Sequence, residues 1–187
     1  MRYKHLIVLI LCLMLTNCYE SKIPLSDTET SKIDKALLGV WKGKVEDGDV
    51  YFHFSRGGMN KINGLLVEHH SDQTMKVEAY DIFTTKIGDS HFLSSQQVGA
   101  KGSDEPFFIL KYFIDGKKIK LWQFNDVKLK EAISVGLLKG EIQKGNFNIE
   151  TIRLTDIDSR ITSFIESSSD DLFEPFDAFD SFEKLSN

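Results

Sequence analysis

Alternation of apolar and polar positions runs through most of the chain after residue 36. In Val50-Tyr51-Phe52-His53-Phe54, Val50, Phe52 and Phe54 face one way and Tyr51 and His53 the other, the two-residue period of a half-buried strand. Turn residues cut this pattern into strand-length pieces. Runs 41–45 and 50–54 flank Glu46-Asp47-Gly48-Asp49, and 52–55 and 61–68 flank Arg56-Gly57-Gly58. Asp115-Gly116, between 108–114 and 117–124, is the strongest hairpin signal, because Asp-Gly supplies the positive φ angles of a tight primed turn. Runs 75–84 and 91–98 are divided by Ile87-Gly88-Asp89, and Lys144-Gly145-Asn146 separates 141–143 from 147–154. About eight or nine strands with short connections predict a mainly β, antiparallel up-and-down meander, which hides its edges by closing into a barrel. Lys111, Lys118 and Lys120 interrupt the later strands, so one sheet face meets water; a membrane-spanning barrel would need that face apolar.

Two segments carry the helical period instead. Residues 127–136 place Val127, Leu129, Ala132 and Ile133 ahead of a glycine stop at Gly136, predicting one short late helix. Thr155 and Asp158 have capping-box spacing, and Ile157, Ile161, Phe164 and Ile165 then form one apolar stripe. This second, C-terminal helix is expected to pack across one end or side of the barrel, completing a domain over 36–168. The stretch 169–187 breaks both periods: Phe173, Phe176, Phe179 and Phe182 recur every third residue among acids. On an α-helix that spacing drifts across about half the circumference, too broad for one buried stripe. Two readings follow, a disordered acidic, Phe-rich tail that folds on an envelope partner, or docking of Phe173 and Phe176 on the barrel while the rest frays. Either way, 37–154 is expected to fold without the last residues.

The longest apolar run lies at the other terminus. Arg2 and Lys4 precede an unbroken run over 6–15, too short for a membrane span of roughly 17–25 residues, and this reads as a signal peptide. Leu15-Thr16-Asn17-Cys18, which closes it, resembles the lipobox of bacterial lipoproteins, with Asn17 where that family usually carries Gly, Ala or Ser. The resemblance implies removal of 1–17 and a lipidated Cys18, with a diacylglyceryl thioether and an amide-linked acyl chain such as palmitate. Cleavage also removes Cys12, so Cys18 has no disulfide partner, and lipid attachment accounts for an unpaired cysteine in an exported chain. Each buried CH₂ contributes about 0.8 kcal/mol, so two or more chains anchor stably. Tyr19, rather than Asp, follows the cysteine, which by the same resemblance implies the outer membrane, facing the periplasm. Residues 18–35 are polar and predict a flexible tether behind the lipidated cysteine.

Gly39-Val40-Trp41, opening the first long strand, resembles the start of lipocalins and related calycins. That resemblance implies a lipocalin-like barrel of eight or nine strands, with Trp41 closing its floor.

Charge narrows the partners. Removing the leader takes away Arg2 and Lys4 and no acid, so 23 basic and 28 acidic side chains become 21 and 28, a net charge of −7. Nucleic acid and anionic lipid surfaces both call for a basic face, so neither is expected as a docking partner. Candidate chemistry is sparse. His69-His70, flanked by Glu68 and Asp72, is the nearest approach to a metal cluster, but neighbouring strand residues point to opposite faces, so a solvated turn is expected. His53 and His91 stand alone. No nucleophile elbow, zinc-protease helix, P-loop or dinucleotide fingerprint occurs, so neither catalysis, a cofactor nor a metal is expected. Residues 99–106 are the longest internal loop, a solvated connection in preference to a lid. The function expected is binding of a small apolar or amphipathic ligand by a lipid-anchored envelope protein; the alternative is a filled barrel serving as an envelope scaffold or protein-interaction module.

Overall fold

The computed structural model describes residues 19–45, 48–58, 60–99, 105–144, 150–176 and 182–185. Cys18, with the leader before it, and Phe179 lie outside the described residues, as do positions 100–104 of the long loop. A short strand, β1 (Tyr19–Ser21), opens the described chain. It is followed by β2 (Gly39–Val45), β3 (Gly48–Arg56), β4 (Ile62–His70), β5 (Met75–Ile87), β6 (Ser90–Gln97), β7 (Phe108–Asp115) and β8 (Lys118–Phe124). From β2 to β8 every strand pairs antiparallel with the next, the meander that the hairpin punctuation predicts. Asp115 pairs with Lys118, leaving Gly116 as the first of two turn residues at φ +57°, the position at which a two-residue hairpin loop favours glycine.

The meander ends at α1 (Asp126–Ser134). Asn125 caps it, its side chain accepting the Lys128 amide at 3.2 Å, and Gly136 at φ +78° follows its last turn. Leu129 and Ala132 are buried while Val127 points to solvent. Next come β9 (Gly140–Lys144) and β10 (Glu150–Leu154). This hairpin does not continue the barrel. It joins β1 in a separate three-stranded sheet, ordered β1-β10-β9, because α1 carries the chain off the barrel wall before it turns back.

The remaining elements are α2 (Asp158–Ser167), a single 3₁₀ turn, β11 (Phe173–Pro175) and β12 (Phe182–Lys184). Ile157, not Thr155, is the cap of α2, and no side chain caps it. Asp156 sets the entry instead, accepting the Lys139 amide at 2.8 Å and the Ile157 amide at 3.0 Å. Ile161 and Ile165 form the buried stripe, and Ile157 is exposed.

Closure depends on the tail. β12 inserts between β8 and β2, with Phe182 opposite Ile119 and Lys184 opposite Trp41, so β2–β8 and β12 make a closed eight-stranded antiparallel barrel. β11 adds an extra strand on β8. The expectation of a dispensable tail is therefore corrected: Phe182 is 2% exposed inside the barrel. Gly43 makes the room, since a Cβ there would lie 2.7 Å from the Phe182 ring.

The wall separates two cores. Inside lie Leu37, Trp41, Val50, Phe54, Ile62, Leu66, Ile82, Leu93, Tyr112, Ile119 and Phe182. Outside, Phe92, Ile109 and Phe124 pack against Tyr19, Leu129, Ile152, Leu154, Ile161 and Leu172. Phe92, Leu93 and Ser94 are consecutive and all buried, because β6 is covered on both faces. Residues 19–35 belong to this covering. Ser21 exchanges backbone hydrogen bonds with Phe107 at 2.8 Å, the Leu25 amide donates to Ser94 Oγ at 3.1 Å, and Ser31 Oγ donates to the Thr84 carbonyl at 3.1 Å. In place of the expected flexible tether, a polar segment is held to the wall by hydroxyl and amide partners that its composition does not reveal.

Candidate functional site: the barrel lumen and its two ends

The barrel has one end where β2 begins and another where β2 turns into β3. At the first, residues 31–38 cross the opening. Leu37 and Trp41 are fully buried, and Trp41 Nε1 donates to the Leu37 carbonyl at 2.7 Å. Lys184 stands over the Trp41 ring at 5.0 Å and donates to the Ala36 carbonyl at 2.7 Å. Asp34 accepts the Tyr112 hydroxyl at 2.8 Å and the Ala36 amide at 2.9 Å, with His91 Nδ1 3.8 Å away. Burial, reinforced by the hydrogen bond to Asp34 and its charge, pushes the Tyr112 hydroxyl well above its ordinary pKa, so it stays a donor. This end is sealed.

The opposite end is built from alternate residues of β4, β5 and β6. The register that sends Ile62, Leu66 and Ile82 inward also sends Glu68, Glu78, Tyr80 and Gln97 to the inner face. Tyr80 donates its hydroxyl to Glu78 at 2.9 Å, and Gln97 Nε2 donates to the other Glu78 oxygen at 3.3 Å. Lys76 lies 3.3 Å from Glu78 and 4.0 Å from Glu68, and His70 Nε2 is 3.6 Å from Glu68. The Tyr80 hydroxyl is pushed up in the same way, first by burial, then by the bond to Glu78 and the charges of both glutamates. Inside this polar rim the apolar side chains of Phe52, Leu110 and Leu121 are only half-buried. Phe52 stacks on Phe54 with ring centroids 5.6 Å apart and meets Phe182 edge-on at 5.1 Å. Partly accessible apolar side chains and convergent donors and acceptors thus share this end of the barrel.

The histidines divide as strand geometry requires. His70 joins the rim, while His69 points outward with its ring edge-on to Tyr51 at 5.5 Å. His53 is exposed, and His91 belongs to the sealed end. Among the described residues no three His, Cys, Asp or Glu side chains are grouped to hold a metal ion. Outside the barrel, a crevice of about 200 Å³ runs between α2 and the wall, lined by Ile87, Phe92, Lys111, Ile165, Asp170 and Phe173 among others. Nearby, Gln123 and Asn125 donate to Glu174, and Asp126 is held above its usual carboxyl range, chiefly by burial and also by the Glu174 charge.

Glu68 entered the sequence reading only as a flank of His69-His70, and Glu78 and Tyr80 escaped it, although the period of two would place all three on the inner face once β4 and β5 are registered on β3. No helix among the described residues is long and apolar enough to cross a membrane. Comparison with protein-family models, with curated proteins and with solved structures finds no match.

Proposed function

We propose that this chain is a lipid-anchored envelope protein, carried by Cys18 on the periplasmic side of the outer membrane, whose barrel takes a small apolar or amphipathic ligand through the end rimmed by Glu68, Glu78, Tyr80 and Gln97. The lipocalin-like likeness at Gly39-Val40-Trp41 is part of the same reading. The observation that carries it is the asymmetry of the lumen: one end is filled by Leu37 and Trp41, while Phe52, Leu110 and Leu121 behind the polar rim keep partial exposure. A second reading, an envelope scaffold that binds a protein partner, draws on the outward-facing strip of Leu65, Met75 and Val77 on β4 and β5, all exposed.

Native mass spectrometry of the mature protein, extracted with its own membrane, tests the first reading. A bound small molecule retained in the gas phase and released on unfolding is expected. A bare protein that also fails to bind a neutral apolar fluorophore such as N-phenylnaphthylamine would leave the scaffold. The anchor has its own test. Cys18→Ser is expected to accumulate as a precursor without fatty acid, and an acylated mature product from that variant would remove the lipoprotein reading.

A further inference from the structure

The described chain is already folded at its first residue. Tyr19 is 3% exposed, pairs with Ile152 in the parallel β1–β10 ladder and packs its ring edge-on against Phe124 at 5.0 Å. Glu20 takes two hydrogen bonds from Arg153, at 2.8 and 3.0 Å, and Ser21 is bridged to Phe107 on both its backbone groups. Consecutive Cα atoms lie about 3.8 Å apart, so whatever is attached to residue 18 begins within one residue length of this ladder. A flexible linker of about 17 residues would have let the body wander by roughly 20–25 Å. No such linker separates it from Cys18.

We infer that the lipid at Cys18 seats the folded body directly against the bilayer, with the edge of the small sheet where β1 and β10 begin and β9 ends as the surface next to the headgroups. This rests on the anchor proposed above and replaces a tethered, freely rotating domain with one of fixed orientation. β1 and β10 run in parallel, so Tyr19 opens its strand beside Ile152 and, across the next ladder, Ile142, and the next row toward that edge of the sheet holds Thr151 and Gln143. Strands stand about 4.8 Å apart, which puts Gln143 roughly 10 Å from the line of β1. The same edge carries Lys144 and the Lys130–Glu150 ion pair at 2.7 Å, side chains that suit a zwitterionic headgroup layer rather than the acyl region. The partner is therefore a lipid surface met at headgroup depth, held there by the anchor and not by attraction between surfaces.

The mature chain has no cysteine besides Cys18, whose sulfur the lipid occupies, so a single introduced cysteine can report depth. The lipidated full-length protein, with an environment-sensitive fluorophore at Gln143→Cys or Lys144→Cys, is reconstituted into phosphatidylethanolamine–phosphatidylglycerol vesicles containing a headgroup nitroxide lipid. The control carries the fluorophore at Gln73→Cys, in the exposed β4–β5 turn. Quenching at 143 or 144 is expected to exceed that at 73 by about threefold or more. Inserting twenty Gly-Ser residues between Cys18 and Tyr19 is expected to erase the difference. Equal quenching at both sites in protein that carries a clickable fatty acid would overturn the seating and leave the anchor standing. Absence of the fatty acid label would overturn the anchor itself, and the seating with it.

Discussion

The two ends of the barrel are made from the same strands and differ in what the rest of the chain does to them. At the sealed end, residues 31–38 cross the opening and supply partners to inward polar groups: Trp41 with Leu37, Tyr112 with Asp34, Lys184 with Ala36. At the rim, nothing described crosses, and the inward polar groups bind one another, Tyr80 and Gln97 to Glu78 and Lys76 between two glutamates. The Leu37 carbonyl is a buried backbone partner, hard to exchange, and the Tyr112 hydroxyl is itself buried. A rim lysine whose side chain is 56% exposed can swing into water and leave its carboxylates to an incoming group. The first end contributes stability and the second offers a surface with alternatives, so perturbing each should move different observables.

The largest effect should come from the strand that closes the barrel. Deleting 181–187 removes β12, leaves Gly43 facing an empty site and exposes edges on β2 and β8. Losing a buried phenylalanine alone costs about 3–5 kcal/mol, so with the ladder bonds the deletion is expected to cost about 5 kcal/mol or more. A thermal midpoint within a few degrees of the intact chain would show that β12 does not close the barrel. Trp41→Ala comes next. The ring is fully buried at the sealed end, and its removal should cost about 3–5 kcal/mol by denaturant titration. A loss below about 0.5 kcal/mol would mean that the sealed end is not packed.

These two cases mark how far the residues disclosed the structure. The strands were legible because each hairpin carries its own turn residues, and Trp41 because a large ring beside Gly39 opens the first long strand. Phe182 was not. Its burial depends on a missing side chain at Gly43, some 140 positions earlier, and no local period encodes that pairing. Reading the tail as disordered, or as frayed beyond Phe176, misjudged it, since Phe173 and Phe182 enter two separate three-residue strands. The packing of residues 19–35 was hidden for a related reason: the hydroxyls of Ser26 and Ser31 look solvated in sequence and are spent on Thr84 and Thr85 of the wall. Of the rim, the residue types were visible but not their convergence, which follows from register.

A smaller effect is expected from Tyr112→Phe, which leaves the ring and removes the hydrogen bond to a carboxylate, a loss of about 1–2 kcal/mol. This variant also has a pH signature. The folded hydroxyl holds its proton more tightly than an unfolded tyrosine, which titrates near 10. Its stabilisation is therefore complete below pH 10 and declines above it, where the unfolded chain releases protons that the folded one retains. Stability of the wild type should fall from about pH 10 upward, and Tyr112→Phe should flatten that fall. An equal slope in both proteins would show that neither burial nor Asp34 makes the folded Tyr112 hydroxyl hold its proton more tightly than the unfolded one.

The smallest change in stability, and the most telling for the rim, should follow Glu78→Gln. The amide keeps an oxygen for Tyr80 and sits where Glu78 is already in reach of water, so unfolding free energy should move by less than about 1 kcal/mol. The charge that Lys76 satisfies is lost, however. If the rim receives the polar end of a ligand, a cationic amphiphile such as dodecylamine competes with Lys76 for the same carboxylates. Its affinity should then weaken by about tenfold in the variant, the loss of one charge-assisted hydrogen bond. A neutral apolar probe, which uses only the floor around Phe52, should bind both proteins alike. Parallel weakening of both probes would place the change in the floor instead, and no change in either would mean that ligand does not pass through this end. The sealed end supplies the control: Tyr112→Phe alters stability, and if the two ends are independent it should leave both affinities where they were.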